Sequence, residues 1–535
     1  MRAQVRAAFA LHLASAWGLR TDGEMVAALE AELGAAHAGA VARYTQVGFF
    51  RANGTEDTST VKRAVARAYG AVAPCARCAG SGRTPKPAPR CPQCGGTGGP
   101  CPRCRGSGLG RAPKGTNICS AKSEGCGGTG YDLDLAPDVP RTPTGDVSTD
   151  RDVLYESGDD TLEEYGGVSE VAKLRSTYLP ALAEGVRWPI NPRANVLVAS
   201  GRTSYSGIVQ VLPSHGTGAR LRQAFVARPG HVLCSIDYGS LELCTLAQVC
   251  LWTVGHSALG EALNRGDDCH CRTGAMMIGI DYVEFLSRKK ELKDKRQAAK
   301  AANFGFPGGM GAATLVLTKR KRSEGTTTAH DGTIYNGLRF CVLVAGARAC
   351  GADKVTEWKG RAIPPTCVRC LEVVEHTLRP AWFAAYPEMR EYFSYISTAV
   401  DRSGTLEQFG SGRIRGGLDF CNGANTLFQG LAADGAKHAL WQVSREAHTD
   451  PSSPLWGSHP VIFVHDEIIS ELPEERAHEA AHRMAEIMVS SMREYVPDVR
   501  ITAEPALMLR WHKAAEPTYV DGRLVPWEPK EKGIQ

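Results

Sequence analysis

The sequence predicts an α+β protein divided into several subdomains, and three observations carry that prediction. Residues 461–472 read VIFVHDEIISEL. Apolar runs on either side of a His-Asp-Glu break are the pattern of two buried strands joined by a tight turn. Residues 231–236 form another strand-like run, which ends at Asp237 in SIDYGSLEL. Elsewhere the spacing is helical, as over 25–36 and in the run that carries Arg296, Lys300 and Phe304. At 535 residues the chain is too long for a single core.

Hydrophobic residues make up 43% of the chain and charged residues 22%, ordinary for a soluble globular protein. A net charge of +5 permits a polyanionic partner without demanding one. No apolar run reaches membrane-spanning length, so no membrane partner is expected. Residues 1–16 imitate a signal peptide, with Arg2 and Arg6 ahead of an apolar stretch. His12 interrupts that stretch, and a helix ending at Gly18 is the preferred reading. Thr21 and Glu24 are spaced as a capping box for a helix over 25–36. The 18 cysteines are clustered with CxxC spacings, which favours metal binding in a reducing cytoplasm over disulfides.

Residues 75–130 hold four related units: CARCAGSG, CPQCGGTG, CPRCRGSG and CSAKSEGCGGTG. The first three supply Cys75/Cys78, Cys91/Cys94 and Cys101/Cys104, and the fourth spreads its pair to Cys119 and Cys126. A CxxC turn brings two thiolates to one point and two such turns complete a tetrahedral zinc site. Eight cysteines therefore suggest two Zn²⁺ ions. The glycines that follow suit tight turns whose amides face the sulfurs. Free thiols are the alternative, but the segment has almost no apolar core without metal. The repeats resemble the cysteine-rich domain of DnaJ-type chaperones. That resemblance implies pairing of the first unit with the fourth and of the second with the third. It implies architecture rather than chaperone activity.

A second cysteine set lies further on, at Cys341, Cys350, Cys367 and Cys370. The last two form a CxxC, so a four-cysteine zinc site is one reading, and burial of Cys341 in apolar core is the other. The run Lys319-Arg320-Lys321-Arg322 precedes a polar, Gly/Thr-rich stretch. It could touch phosphates or be a solvated charge run.

An isolated acidic turn at Asp466-Glu467 would be unremarked. A pair of metal ions needs a second carboxylate from elsewhere, and Asp237 at the end of its strand is the candidate. Arg296, Lys300 and Phe304 lie four residues apart, on one helix face. Two cations followed by an aromatic suit a triphosphate below a sugar and base, and a plain basic helix face is the alternative. Pro307 and the glycines Gly308 and Gly309 should end or bend that helix.

Several segments then fall in a telling order: GRTS at 201–204, RLRQAF at 220–225, DYGSLEL at 237–243, RQAAKAANFG at 296–305, QGLAAD at 429–434 and VHDE at 464–467. Together they resemble the polymerase half of family A DNA polymerases, the DNA polymerase I family. The resemblance implies a right-hand fold of palm, fingers and thumb with an antiparallel palm sheet, interrupted by the zinc-binding modules. The implied division is a helical, thumb-related region over 1–70, the cysteine-rich insertion over 71–133 and thumb over 134–186. Palm follows over 187–260, fingers over 261–400 with an insertion at about 319–372, and a second palm segment over 401–535.

By the same resemblance, Asp237 and Asp466 hold two Mg²⁺ ions and Glu467 assists them. Arg296, Lys300 and His270 meet the triphosphate, with Lys300 counted among the catalytic residues. Phe304 and Tyr238 meet the nucleotide, and Glu242 obstructs a ribose 2′-hydroxyl. Arg202, Gln210, Arg413, Asn425, Gln429 and His465 face primer–template DNA. The expected reaction is addition of dNTPs to a primer 3′-hydroxyl in replication or repair, in a bacterial or phage-infected cytoplasm. Two departures stand out: Gly308 occupies the place of an expected tyrosine, and Cys421 that of an expected arginine. Only about 70 residues precede the cysteine-rich insertion. That leads to the expectation of no proofreading by this chain, with a separate exonuclease or replisome protein able to supply it. Two rivals remain: a single-subunit RNA polymerase, and a zinc-dependent nucleic-acid-binding protein with an inactive polymerase core.

Overall fold

The computed structural model describes residues 2–86, 116–119, 126–155, 157, 159–210, 212, 216–320, 326–328, 334–336 and 354–529. Cys91, Cys94, Cys101, Cys104, Cys341 and Cys350 lie outside the described residues, as do Lys321 and Arg322. The chain forms two compact units, one of residues 1–30 with 176–535 and the other of residues 31–175.

Helix α1 (Arg2–Trp17) stops where expected, at Gly18, whose φ is +69°. Helix α2 (Gly23–Val47) is longer than the sequence suggests, and the expected capping box is replaced. Asp22 caps the helix, accepting from the amides of Glu24 (2.8 Å) and Met25 (3.3 Å). Thr21 turns its hydroxyl to the Leu182 carbonyl. Aspartate and threonine are both good caps, and the neighbouring carbonyl decided between them.

The unit of residues 31–175 is held by helix α3 (Thr58–Ala68) and helix α4 (Asp160–Lys173). Its core gathers Tyr44, Phe49, Phe50, Val61, Val65, Leu162 and Tyr165. Tyr165 packs edge-on against Phe49 at 4.8 Å and bonds Glu56 at 2.7 Å.

The larger unit is built on a six-stranded sheet. Its parts in chain order are β1 (His231–Tyr238), α5 (Leu241–Thr253), α6 (Cys269–Ile278), α7 (Lys293–Gly305) and α8 (Glu388–Ser403). Then come α9 (Phe420–Thr449), β2 (His459–Val464), β3 (Glu467–Pro473), α10 (Ala477–Arg493), β4 (Ala503–Met508), β5 (Thr518–Val520) and β6 (Arg523–Trp527). The spatial order is β2-β3-β1-β4-β6-β5. The expected antiparallel sheet is corrected to a mixed one, because β4 pairs with β6 in parallel. Strand β1 also runs past its expected end, through Asp237, which pairs with Glu504.

β1 and β3 are central strands, and most of their residues are buried rather than buried in alternation. All seven residues of β3 are buried, Glu471 included. That carboxylate would be costly alone. It is held by Arg228 (2.9 Å) and the Trp17 indole (3.0 Å), with Arg228 stacked over the same ring. The end of α1 is thereby pinned to the sheet. Helix α9 runs beside the sheet with small residues Ala432, Ala433, Gly435 and Ala436 in its buried middle. Among the described residues, no helix is long and apolar enough to cross a membrane.

Candidate active site and cysteine cluster

The predicted strand pair and β1 converge on one edge. Val464 pairs with Glu467, so His465 and Asp466 alone form the loop of a two-residue hairpin. Such loops need positive φ, usually from glycine or asparagine. His465 supplies it at φ +61°, a conformation costing a non-glycine residue about 1–2 kcal/mol. Ile468 pairs with Ile236, which sets the start of β3 against the end of β1. Asp237 and Asp466, 229 positions apart in sequence, thereby line the same cavity of about 680 Å³.

The carboxylates disturb one another. Crowding by protein and the charge of Asp237 push the Asp466 carboxyl up to about 7. Asp237 is raised by its own desolvation and by Glu467, with Lys513 opposing. Two hard oxygen donors whose ionisation is opposed by burial and by neighbouring carboxylates are relieved by a divalent cation, so this pair fits Mg²⁺. Glu467 acts electrostatically on both aspartates, as a neighbour rather than a lining residue. It is buried, accepts from Ser235 (2.5 Å) and pairs with Lys513 (2.7 Å), and it is absent from the cavity lining.

The raised pKa sets a pH dependence. Between the usual carboxylate value and about 7, the folded chain holds a proton at Asp466 that the unfolded chain has lost. This group's contribution to stability therefore falls as pH rises through that window. Asp466→Asn removes the titration. Its thermal midpoint relative to wild type should rise by a few degrees more at pH 8 than at pH 5 without divalent cation. An equal offset at both pH values would contradict the shift.

Facing the carboxylates is the expected face of α7: Arg296, Lys300 and Phe304 all line the cavity. Ala298, Ala299, Ala301 and Ala302 are buried on the other side. Phe304 is 44% exposed although apolar. As predicted, α7 ends at Gly305, a tight turn Phe306–Gly308 follows, and Gly309 takes φ +75°. At Gly308 a Cβ would lie 2.3 Å from the Asn425 amide. No larger side chain fits without moving Asn425.

Asp268, which has no role among the sequence-based expectations, organises the end of the cavity lined by His270 and Arg296. It caps α6 through the amides of His270 (3.0 Å) and Cys271 (3.1 Å). It also pairs with Arg296 (2.9 Å) and Lys289 (3.0 Å). Its signal was an aspartate one residue before a helix. His270 is buried and receives a hydrogen bond at Nδ1 from the Asn303 amide at 3.0 Å. Burial, then the cation Arg296, depress its pKa to about 4. The ring is therefore neutral near pH 7, with its proton on Nε2. Asn303, itself fixed by Thr273 and the Cys269 carbonyl, was also missed.

The remaining candidates divide. Arg202, Glu242 and His465 line the cavity, and Arg202 pairs with Glu242. Tyr238 borders it too, but its buried phenol donates to the Met488 carbonyl and its hydroxyl is thus committed to the core. Gln210 accepts from the Tyr205 amide at 2.7 Å, an internal loop contact. Arg413 pairs with Asp434 at 3.2 Å. Asn425 and Gln429 lie outside the cavity lining. Asn425 donates to the Cys421 carbonyl (2.9 Å) and receives from Gln429 (3.3 Å).

In the other unit, Cys75, Cys78, Cys119 and Cys126 meet, so the first and fourth cysteine units pair despite the wide gap in the fourth. Their sulfur atoms lie within 4.8 Å of one another, and Cys78 and Cys126 are 3.6 Å apart. A tetrahedron with metal–sulfur bonds of about 2.3 Å has sulfurs about 3.8 Å apart. Gly82 and Gly130 direct amides at Cys78 and Cys126, each at 3.2 Å. Arg63 of α3 holds both turns through Thr129 O (2.8 Å) and Ser81 O (3.2 Å). Burial pushes the Cys119 thiol up to about 12. Burial is the strongest single influence on Cys126 and acts to raise it, but the hydrogen bonds from the Gly130 and Gly128 amides and from Cys78 and Cys119 together outweigh it, and the net shift is downward. Four buried thiols so arranged could hold a metal ion. Cys370 of the second set is buried in the main hydrophobic core with Leu371 and Val374.

A sheet edge carrying two carboxylates faces, across one cavity, a helix face of two cations and an aromatic, a donor set that could take a phosphorylated ligand with divalent cations. Known proteins narrow that class. Residues 131–330 match the family model for DNA polymerase family A. It is 29% identical over 355 residues to the thermostable DNA polymerase I of Thermus filiformis, covering 65% of this chain and 36% of that protein. With DNA polymerase I of Deinococcus radiodurans the identity is 26% over 346 residues, covering 61% and 29%. The chain thus spans about a third of the length of these curated relatives. Its fold is similar to a solved structure described as the POL domain of Pol1 from M. smegmatis in complex with DNA primer-template and dNTP. There the TM-score is 0.59 at 17% identity, covering 95% of this chain and 70% of that one.

Proposed function

We propose that this chain is a DNA-directed DNA polymerase that adds dNTPs to a primer 3′-hydroxyl under the direction of a template. The observation that carries the reading is the meeting of Asp237 and Asp466 across one cavity from Arg296, Lys300 and Phe304. In this reading the six-stranded sheet is the palm and α6 with α7 belong to the fingers. Asp237 and Asp466 would hold the Mg²⁺ ions, and Glu467 orients the edge from behind through Lys513. When bound, the two ions supply activation of the primer hydroxyl and neutralisation of the triphosphate.

The chain's own residues do the rest. Arg296 exchanges Asp268 for a phosphate oxygen, and Lys300, exposed with three donors, binds beside it. Neutral His270 can donate Nε2–H to the same group. The exposed ring of Phe304 packs against sugar and base. Glu242, at the cavity wall beside Arg202, excludes a 2′-hydroxyl and so favours dNTP over rNTP. Arg202, His465, Asn425 and Gln429 face the primer–template. Glu242→Ala should raise ribonucleotide incorporation relative to deoxynucleotide by about 10–100-fold. An unchanged ratio in single-nucleotide addition would remove Glu242 from sugar selection.

For the four thiols of Cys75, Cys78, Cys119 and Cys126, we infer Zn²⁺ as the ligand, in a structural role. An all-sulfur, closed set of four suits structural zinc rather than a catalytic site with an open position.

A further inference from the structure

We propose that Lys437 is a positioning residue that holds Arg202, and through it Glu242, in place for sugar recognition. The proposal rests on the polymerase reading above. Lys437 is only 2% exposed, in the middle of α9. Its ammonium bonds Gln4 Oε1 (3.0 Å), the Val196 carbonyl (3.1 Å) and the Gly201 carbonyl (2.6 Å). Three acceptors satisfy its three donors. Two of them bracket one short loop, and the residue that follows Gly201 is Arg202, whose guanidinium reaches Glu242 at the cavity wall.

The surroundings leave the loop little freedom. Asp434, one turn before Lys437 and also buried, accepts from Gln4 (3.3 Å), Ser411 (2.7 Å) and Arg413 (3.2 Å). The Arg413 guanidinium lies 2.3 Å from where a Cβ on Gly201 would stand, and Gly201 takes φ +85°. Only glycine fits that point, and the loop is clamped from both sides. Arg413 and Lys437 are cations spent on the loop backbone and on Asp434, so their effect on nucleotide selection passes through Arg202.

The test compares wild type, Lys437→Met, Arg202→Ala and the double variant by kcat/KM for dNTP and rNTP addition to a primer–template. Lys437→Met should lower sugar discrimination by about tenfold, and the double variant should be no worse than Arg202→Ala. Multiplying effects, or unchanged discrimination by a less stable Lys437→Met, would overturn the proposal. Should Lys437→Met fail to fold, Gln4→Ala, which removes one acceptor, takes its place with the same expectations. If wild type adds no nucleotide, the polymerase reading falls instead. The positioning link is then read from thermal midpoints, where the two substitutions couple if Lys437 holds the Arg202 loop and add if it does not.

Discussion

Asp466→Ala should abolish primer extension, by at least about 10³-fold, while primer–template binding stays largely intact. The hairpin loop that carries Asp466 keeps its shape without the carboxyl, because its pairing is backbone bonding between β2 and β3. What is lost is one of the two oxygen donors that together can hold divalent cations. Asp237 would then lack its partner carboxylate and could not hold two ions by itself. In the proposed function, DNA affinity rests on other residues, Arg202 among them. Persistent extension by Asp466→Ala would remove the carboxylate pair from the chemistry. Loss of DNA binding along with extension would make Asp466 a structural residue.

Cys119→Ser should remove bound zinc and open the segment around the four thiols to protease. The four sulfurs lie buried together with little apolar packing of their own. Metal binding in comparable peptides is worth about 10–16 kcal/mol, far more than such a segment gains from burial. The core of Tyr44, Phe49, Phe50 and Tyr165 is built from other residues, so that part of the unit should persist and cleavage should fall within residues 72–131. Zinc content should drop by one ion per chain. An unchanged zinc content, or a protease pattern equal to wild type, would show that these thiols hold no metal.

Much of the site was legible because its signals are local. Apolar runs on both sides of His465-Asp466-Glu467 mark a hairpin wherever the chain goes. The four-residue spacing of Arg296, Lys300 and Phe304 defines a helix face with no knowledge of the partner. Proline and glycine after Phe306 stop a helix through backbone geometry alone. What could not be read depends on tertiary neighbours. Arg296 and Arg413 look like free cations in sequence, yet Asp268 and Asp434 engage them. Gln210, expected to face DNA, accepts instead from the Tyr205 amide, and the Lys513 partner of Glu467 lies 46 positions away with no motif to mark it. Lys437 gives no sequence signal at all, since a lysine in a helix is ordinarily solvated. The parallel pairing of β4 with β6 depends on the connection through β5, which carries no motif. Thr21 and Asp22 compete as caps, and only the position of Leu182 settles the choice.

The central claim is templated DNA synthesis at the Asp237–Asp466 edge. Its most direct measurement is extension of a labelled primer on four templates that differ in one base. The purified chain is given Mg²⁺ and a single dNTP at a time, beside Asp237→Ala. One nucleotide should be added only where the dNTP matches the template base, and none by Asp237→Ala. Addition regardless of template, or equal addition by Asp237→Ala, would contradict it.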